Sequence, residues 1–115
     1  MNNKLGKIGE DTATKYLEKM KYKILKRNYR SRKGEIDIIA KYGNILVIIE
    51  VKSRNNKNYG YPIEAVNKIK ADKIKNCTKY FLYKENINFS EIRFDVIEIY
   101  KIKEHYVVNH IKNAF

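Results

Sequence analysis

Residues 34–52 read GEIDIIAKYGNILVIIEVK and contain the strongest strand pattern of the chain. The stretch contains two runs rich in Ile and Val, at 34–41 and 44–52, on either side of the pair Tyr42-Gly43. Runs of this length, separated by two turn-forming residues, predict two antiparallel strands joined by a tight hairpin. Both runs also carry acidic residues, and the face on which each acid lies therefore bears on function.

Alternation along the two strands places one acid of each strand on a common face. A two-residue turn at Tyr42-Gly43 sets Asp37 opposite Ile48 on the neighbouring strand. Asp37 and Glu50 then become diagonal neighbours, about 7–8 Å apart at the backbone. Carboxylates at this spacing can converge on one cation, whereas a three-residue turn would move Asp37 to the other face.

Two carboxylates followed by a lysine form a set that suits phosphodiester hydrolysis. Asp37 and Glu50 are the candidate ligands for Mg²⁺ or Mn²⁺, which prefer oxygen donors. Lys52, one pleat beyond Glu50, would hold or deprotonate the attacking water. The alternative is a solvated strand face, because a short Glu-x-Lys motif arises by chance in a lysine-rich chain. Against that alternative, Glu50 shares its face with aliphatic residues, and a half-buried acid needs a partner or a metal.

Outward from the hairpin, the hydrophobic periodicity predicts two helices and three further strands. The helices are expected at 4–20 and at 62–83, where Pro62 suits a first helical position. The further strands are expected at 22–28, 93–100 and 105–111. The chain is therefore expected to form a single α/β domain over residues 1–115, with a mixed sheet and the order α-β-β-β-α-β-β.

The predicted second helix carries charge within its apolar stripe. Apolar residues recur there at three- and four-residue steps, and they are Val66, Ile69, Ile74, Cys77, Tyr80 and Phe81. Lys70 and Lys73 fall inside this stripe. In one interpretation both lysines lay their stems over the core and keep their ammonium groups in water. In the other, the ammonium groups reach a phosphate or the acids, and we expect at least Lys70 to reach the open edge of the site, toward Glu50 or an incoming phosphate.

The composition favours a polyanionic partner. The 115 residues include 25 Lys+Arg and 13 Asp+Glu, which gives a net charge of +12. A basic domain of this kind attracts nucleic acid first and an anionic membrane surface second. An AT-rich genome is an alternative source of the lysines. No apolar run approaches the length of a membrane span, and a single cysteine excludes an internal disulfide. We therefore expect a cytoplasmic protein. Since neither predicted helix has a separate lipid-facing apolar stripe, we expect no contact with a membrane surface.

Glu10 is a further acid of interest, near the start of the first predicted helix. It shares a helical row with Gly6, Ala13 and Leu17, which places it at the edge of the buried face. The alternative role is a first-turn glutamate that complements the helix dipole.

Several blocks of the sequence together resemble the YraN family of small bacterial proteins. The blocks are GxxGExxAxxYLxxxxYxILxxNYR at 6–30, GEIDIIA at 34–40, EVKSR at 50–54, AVxxxKxxKI at 65–74 and RFDV at 93–96. The resemblance covers residues 6 to about 100. It implies a restriction-endonuclease-like fold, similar to that of archaeal Holliday junction resolvases and other PD-(D/E)xK nucleases.

The resemblance also assigns roles to individual residues. It makes Glu10 the acid of the first helix, Asp37 the motif acid, and Glu50 with Lys52 the Glu-x-Lys pair. Lys70 matches a basic position of the second helix. The other residues expected to contact nucleic acid are Lys73, Arg54 and Arg30.

The function expected from the sequence is metal-dependent endonucleolytic cleavage of DNA, with branched or damaged structures as candidate substrates. Mg²⁺ or Mn²⁺ is the expected cofactor. One alternative is a nucleic-acid-binding module without catalysis, and another is a nuclease that acts on RNA. A homodimer is left open.

Overall fold

Five strands form one mixed sheet in the computed structural model, which describes residues 4–55 and 66–115. The described elements are α1 (Lys4–Lys19), β1 (Lys23–Ser31), β2 (Gly34–Tyr42), β3 (Ile45–Asn55), α2 (Lys68–Glu85), β4 (Glu91–Ile102) and β5 (His105–Ile111). The predicted α/β class, the mixed sheet and the order α-β-β-β-α-β-β are confirmed.

The strands lie in the sheet in the order in which they occur in the sequence, β1-β2-β3-β4-β5. Neighbouring strands pair antiparallel except for β3 and β4, which pair in parallel. A parallel pair needs a crossover connection, and the chain passes through α2 between these two strands. The connection through α2 therefore returns the chain to the end of the sheet where β3 began, and β4 starts there.

The two helices pack on opposite faces of the sheet, and each face has its own core. On the α1 face the buried residues are Ala13, Leu17, Tyr22, Ile38, Ala40, Val47, Ile49, Ile97 and Ile99. On the α2 face they are Ile36, Ile39, Leu46, Ile48, Ile74, Cys77 and Phe81. The central strands are therefore covered on both sides, as their continuous Ile and Val runs require.

The hairpin turn lies one residue later than the sequence predicted. Tyr42 pairs with Ile45, so the two turn residues are Gly43 and Asn44. Gly43 has a φ of 60°, which the first central position of a type II′ hairpin requires and glycine adopts without strain. The predicted pairing of Asp37 with Ile48 is therefore wrong by two residues. Because a two-residue shift preserves the face of each side chain, the predicted common face survives.

The second helix begins later than predicted and buries a different row of side chains. It starts at Lys68, because the Asn67 side chain accepts a 2.8 Å hydrogen bond from the Lys70 backbone and caps the helix. Pro62 lies outside the described residues. The buried row is Ala71, Ile74, Cys77, Thr78 and Phe81. The predicted apolar stripe is corrected accordingly, since Ile69 and Tyr80 are exposed.

Neither helix in residues 4–55 and 66–115 is both long enough and apolar enough to cross a membrane.

Candidate functional site

The site lies where the two strands of the hairpin part. Ile38 and Ile49 form the last pair of β2 and β3, and Asp37 and Glu50 are the next residues on the two strands. Beyond this pair the Asp37 carboxylate takes the place of a backbone partner, since its Oδ2 accepts a 2.8 Å hydrogen bond from the Val51 N–H. The corrected register thus brings the two acids face to face rather than diagonally apart.

The surroundings of Asp37 favour its protonated form. Burial raises the pKa of Asp37 to about 8, and the hydrogen bond with Glu50 and the charge of Glu50 act in the same direction. The Val51 N–H opposes the shift without reversing it. Two carboxylates that meet in a half-buried site can share one proton, and a bound cation would take the place of that proton.

Lys70 supplies the positive charge at this site. Its Nζ lies 2.6 Å from Oε2 of Glu50, which is 7% exposed, while the Lys70 side chain itself is 56% exposed. The hydrogen bond to Glu50 raises the pKa of Lys70. The expectation that Lys70 points toward Glu50 is confirmed, and it bridges the buried acid and solvent.

Two cavities meet at these three residues. The first, about 440 Å³, opens along the N-terminal part of α2, and Asn67, Ile69 and Lys73 contribute to its wall. The second, about 380 Å³, opens toward the start of α1. Both are lined by Asp37, Glu50 and Lys70, so they form one cleft that passes over the acids from one helix to the other.

Glu10 lies in the α1 side of this cleft, together with Gly6 and Leu5. Its charge contributes to the raised pKa of Asp37. Arg27 approaches Glu10 from β1, with Nη2 lying 3.8 Å from Oε1. The structure therefore brings the predicted helix acid to the site.

A close approach between α1 and β3 brings Glu10 there. A side chain at Gly9 would collide with Oγ of Ser53. Ser53 also donates a 3.3 Å hydrogen bond to the Leu5 carbonyl. A glycine is needed where the helix touches the strand, one residue before the acid.

Three of the predicted residues are placed differently. Lys52 lies beside Glu98 of β4 in the sheet register and lines neither of the two cavities. Arg54 is mostly buried, and its Nε donates a 2.9 Å hydrogen bond to Glu98. Arg30 is exposed on β1, 3.4 Å from the Glu35 carboxylate. Their proposed roles therefore remain predictions.

The sequence did not predict two buried acids in β4. Glu98 accepts hydrogen bonds from Arg54, Tyr100 and Asn109. The sequence feature that could have indicated both acids is a charged residue within the mainly apolar segment 91–102.

Asp95, the other buried acid, is bound by Arg93 and His110. Burial would raise the pKa of Asp95, yet the hydrogen bonds from His110 and Arg93 lower it below its ordinary value. Tyr16 of α1 completes the chain of contacts through its 2.9 Å hydrogen bond to His110. This network ties α1 to β4 and β5 and stays away from the cleft residues.

The donor set of the cleft fits a hard divalent cation bound with substrate. Among residues 4–55 and 66–115 no three His, Cys, Asp or Glu side chains are grouped as metal ligands. Mg²⁺, however, is typically held by one or two carboxylates together with water and phosphate oxygens. Asp37 and Glu50 meet that requirement, and a cation would take the place of the proton that the two acids share.

Comparison with known proteins identifies the family. Residues 9–99 match the model of the uncharacterised protein family UPF0102. A UPF0102 protein of Clostridioides difficile is 48% identical over the whole of both chains. Relatives from Caldicellulosiruptor saccharolyticus and Persephonella marina are 44% and 46% identical, each over 96% of this chain and over 96% and 91% of their own lengths. The chain therefore belongs to the uncharacterised protein family UPF0102, the family of the YraN proteins.

Proposed function

We propose that this protein is a metal-dependent nuclease that hydrolyses phosphodiester bonds in DNA, on a restriction-endonuclease-like fold. The observation that carries the proposal is the meeting of Asp37 and Glu50 at the fork of the hairpin, in a cleft that Lys70 borders. The net charge of +12 supports a polyanionic substrate. Such an enzyme would act in the cytoplasm.

Each residue of the cleft has a role in this proposal. Asp37 and Glu50 would hold Mg²⁺ or Mn²⁺, which polarises the phosphate of the substrate when bound. Lys70 and Lys73 would bind the phosphate oxygens that enter from the α2 side. Glu10 would accept hydrogen bonds from water on the α1 side.

The role of Lys52 in this proposal is to hold the attacking water. Lys52 shares a strand face with Glu50, so a rotation of its long side chain toward the cleft would bring the ammonium group near the acids.

A second candidate is a nucleic-acid-binding module without catalysis. The ion pair between Lys70 and Glu50 favours it, because the lysine already neutralises the buried acid. In that case the lysines of α2 bind phosphate and the acids only position them. Phosphate chemistry does not distinguish DNA from RNA, so RNA belongs among the substrates to be tested.

The test is cleavage of labelled duplex, branched and single-stranded DNA and of RNA, with Mg²⁺ or Mn²⁺ and with chelator. We expect Asp37→Asn and Glu50→Gln each to lower the metal-dependent rate by at least about a hundredfold. Their affinity for DNA without metal should equal or exceed that of the wild type. Glu50→Gln removes a charge that repels phosphate, whereas Asp37→Asn replaces a largely protonated acid by a neutral amide.

Asp72→Asn, on the exposed side of α2, is the matched control and should cleave normally. If the wild type binds DNA but cleaves none of these substrates, the binding module becomes the better description. If it neither binds nor cleaves nucleic acid, both candidates fail.

A further inference from the structure

The outer face of α2 exposes three large apolar side chains in a line. Ile69 is 72% exposed, Tyr80 38% and Tyr83 83%. Lys73 and Asn76 fill the intervening helical positions and are also exposed. Since these five residues recur at three- and four-residue steps, they share one face. We call this line, Ile69, Lys73, Asn76, Tyr80 and Tyr83, the tyrosine track.

The track starts in the cleft and leads away from it. Ile69 and Lys73 line the same cavity as Asp37 and Glu50. Tyr83 lies about 21 Å from Ile69 along the helix axis, since an α-helix rises about 1.5 Å per residue. A polymeric ligand that occupied both the cleft and the track would therefore extend several monomers beyond Asp37 and Glu50.

The charge of α2 indicates the chemistry of that chain. The helix carries six lysines against two acids, Asp72 and Glu85. Lys79 and Lys84 flank the tyrosines on the two sides of the track. Exposed aromatic rings bordered by lysines match a polymer with flat bases and a phosphate backbone. Lys73 and Asn76 interrupt the apolar residues, so the track lacks the continuous apolar stripe of a helix that lies on a membrane surface.

We propose that the tyrosine track binds a single-stranded segment of nucleic acid next to the phosphate held in the cleft. Bases of an intact duplex are stacked on each other and cannot reach the rings of Tyr80 and Tyr83, whereas unpaired bases can stack on them. The preferred substrate is then a duplex with an unpaired strand beside the cleaved bond. This inference rests on the proposed function, because the cleft must hold the phosphate.

Binding is measured in chelator, so that the result does not depend on catalysis. The probes are a labelled single-stranded oligothymidylate and a blunt duplex of the same length. Tyr83→Leu keeps apolar bulk but removes the ring, and we expect it to weaken single-strand binding at least roughly fivefold while leaving duplex binding unchanged. Tyr83→Phe keeps the ring and should bind as the wild type does.

A second readout uses the absence of tryptophan from the chain. Tyr83→Trp places a unique fluorophore on the track, and we expect the single strand to quench it more strongly than the duplex does. Quenching by the duplex alone, or a spectral shift with anionic phospholipid vesicles but not with the oligonucleotide, would overturn the inference.

The two proposals can fail separately. If Tyr83→Leu binds the single strand as tightly as the wild type, while Lys70→Met and Lys73→Met still bind DNA more weakly, the track inference is wrong and the proposed function stands. If the wild type binds neither probe at low salt, the proposed function itself fails.

Discussion

At the scale of single residues, the charge balance around Glu50 determines what the cleft can bind. Glu50 is nearly buried, and the 2.6 Å contact with Lys70 provides its positive partner. A divalent cation that binds Asp37 and Glu50 must compete with this ammonium group. Lys70 can move without disturbing the core, because more than half of its side chain is exposed. In the proposed function, Lys70 would release the acid to a cation and bind phosphate instead.

Replacement of Lys70 by Met tests this competition. Loss of the ammonium group leaves Glu50 without its counter-charge, so we expect the free energy of unfolding without metal to fall by about 1–2 kcal/mol at pH 7. Mn²⁺ should bind roughly tenfold more tightly, as measured by calorimetry, because its competitor is gone. Lys79→Met, on the exposed side of α2, should change neither quantity. Equal behaviour of the two variants would contradict the competition.

The raised pKa of Asp37 predicts how stability depends on pH. Between about pH 4 and pH 8 the folded protein keeps a proton on Asp37 that the unfolded chain has released. The free energy of unfolding should therefore fall as pH rises through this window, by at most about 1.4 kcal/mol per pH unit from this group. Asp37→Asn cannot titrate, so its stability relative to the wild type should increase from pH 5 to pH 8 in urea titrations without metal.

The control for this experiment is Asp72→Asn, which changes an exposed acid of α2. Its difference from the wild type should stay constant over the same pH range. Parallel stability curves for the wild type and Asp37→Asn would show that Asp37 does not hold the proton.

At the scale of elements, the site depends on how closely α1 lies against β3. The two glycines near the start of α1 have different surroundings. Gly9 faces Ser53 without room for a side chain, whereas Gly6 has nothing within 4 Å of an added Cβ atom. Gly9 is therefore required for the packing of α1 against β3, whereas Gly6 lines the cleft and leaves space there.

Alanine substitutions at the two glycines should have different effects on thermal stability. Gly9→Ala forces Ser53 to rotate and lose its hydrogen bond to Leu5, so we expect destabilisation of about 1–2 kcal/mol. Gly6→Ala should be neutral or stabilise the protein by up to about 0.5–1 kcal/mol, because alanine favours the helix. If both variants are equally stable, the close approach of α1 to β3 does not constrain the chain.

Elements also show which features of the fold could be predicted from the sequence. The strands and the shared face of Asp37 and Glu50 followed from alternation, which a two-residue slip leaves intact. The turn itself was misplaced, because Gly43 suits either central position of a tight turn. In α2, the predicted buried stripe wrongly included Ile69, which is exposed. It omitted Thr78, which is buried and whose hydroxyl donates a hydrogen bond to the Ile74 carbonyl. The spacing of apolar residues along a helix does not by itself determine which face of the helix packs against the sheet.

The contacts that link Asp95 to other elements could not be predicted for a different reason. Asp95 is bound by His110 from the next strand and, through that ring, linked to Tyr16 of α1. These contacts join residues far apart in the sequence, so no local pattern indicates them.

At the scale of the whole molecule, net charge determines how the protein meets a polyanion. The excess of +12 is built mostly from lysine, which binds phosphate as a point charge rather than reading base edges. Several of these lysines lie on α2, on both sides of the track. Binding should therefore be driven by phosphate neutralisation and tolerate changes of sequence.

Salt titration measures this contribution. If about 5 phosphates are neutralised, the logarithm of the association constant should fall against the logarithm of salt concentration with a slope of about −4 to −5 for duplex DNA. Two duplexes of unrelated sequence should give the same slope. An affinity that does not change between about 50 and 200 mM salt would contradict phosphate-driven binding.

The parallel crossover has a consequence for the order of folding. Asp37 and Glu50 belong to a single hairpin, and hairpins close within about 1–10 μs. Lys70 arrives on α2, whose docking accompanies the slower, non-local pairing of β3 with β4. We therefore expect the two acids to meet before their ammonium partner is in place, with like charge opposing closure at the open end of the newly formed hairpin. Protonation of the acids or a dissolved divalent cation should accelerate closure of the hairpin. In the folded protein, Lys70 of α2 supplies the positive charge that the solvent provides during closure.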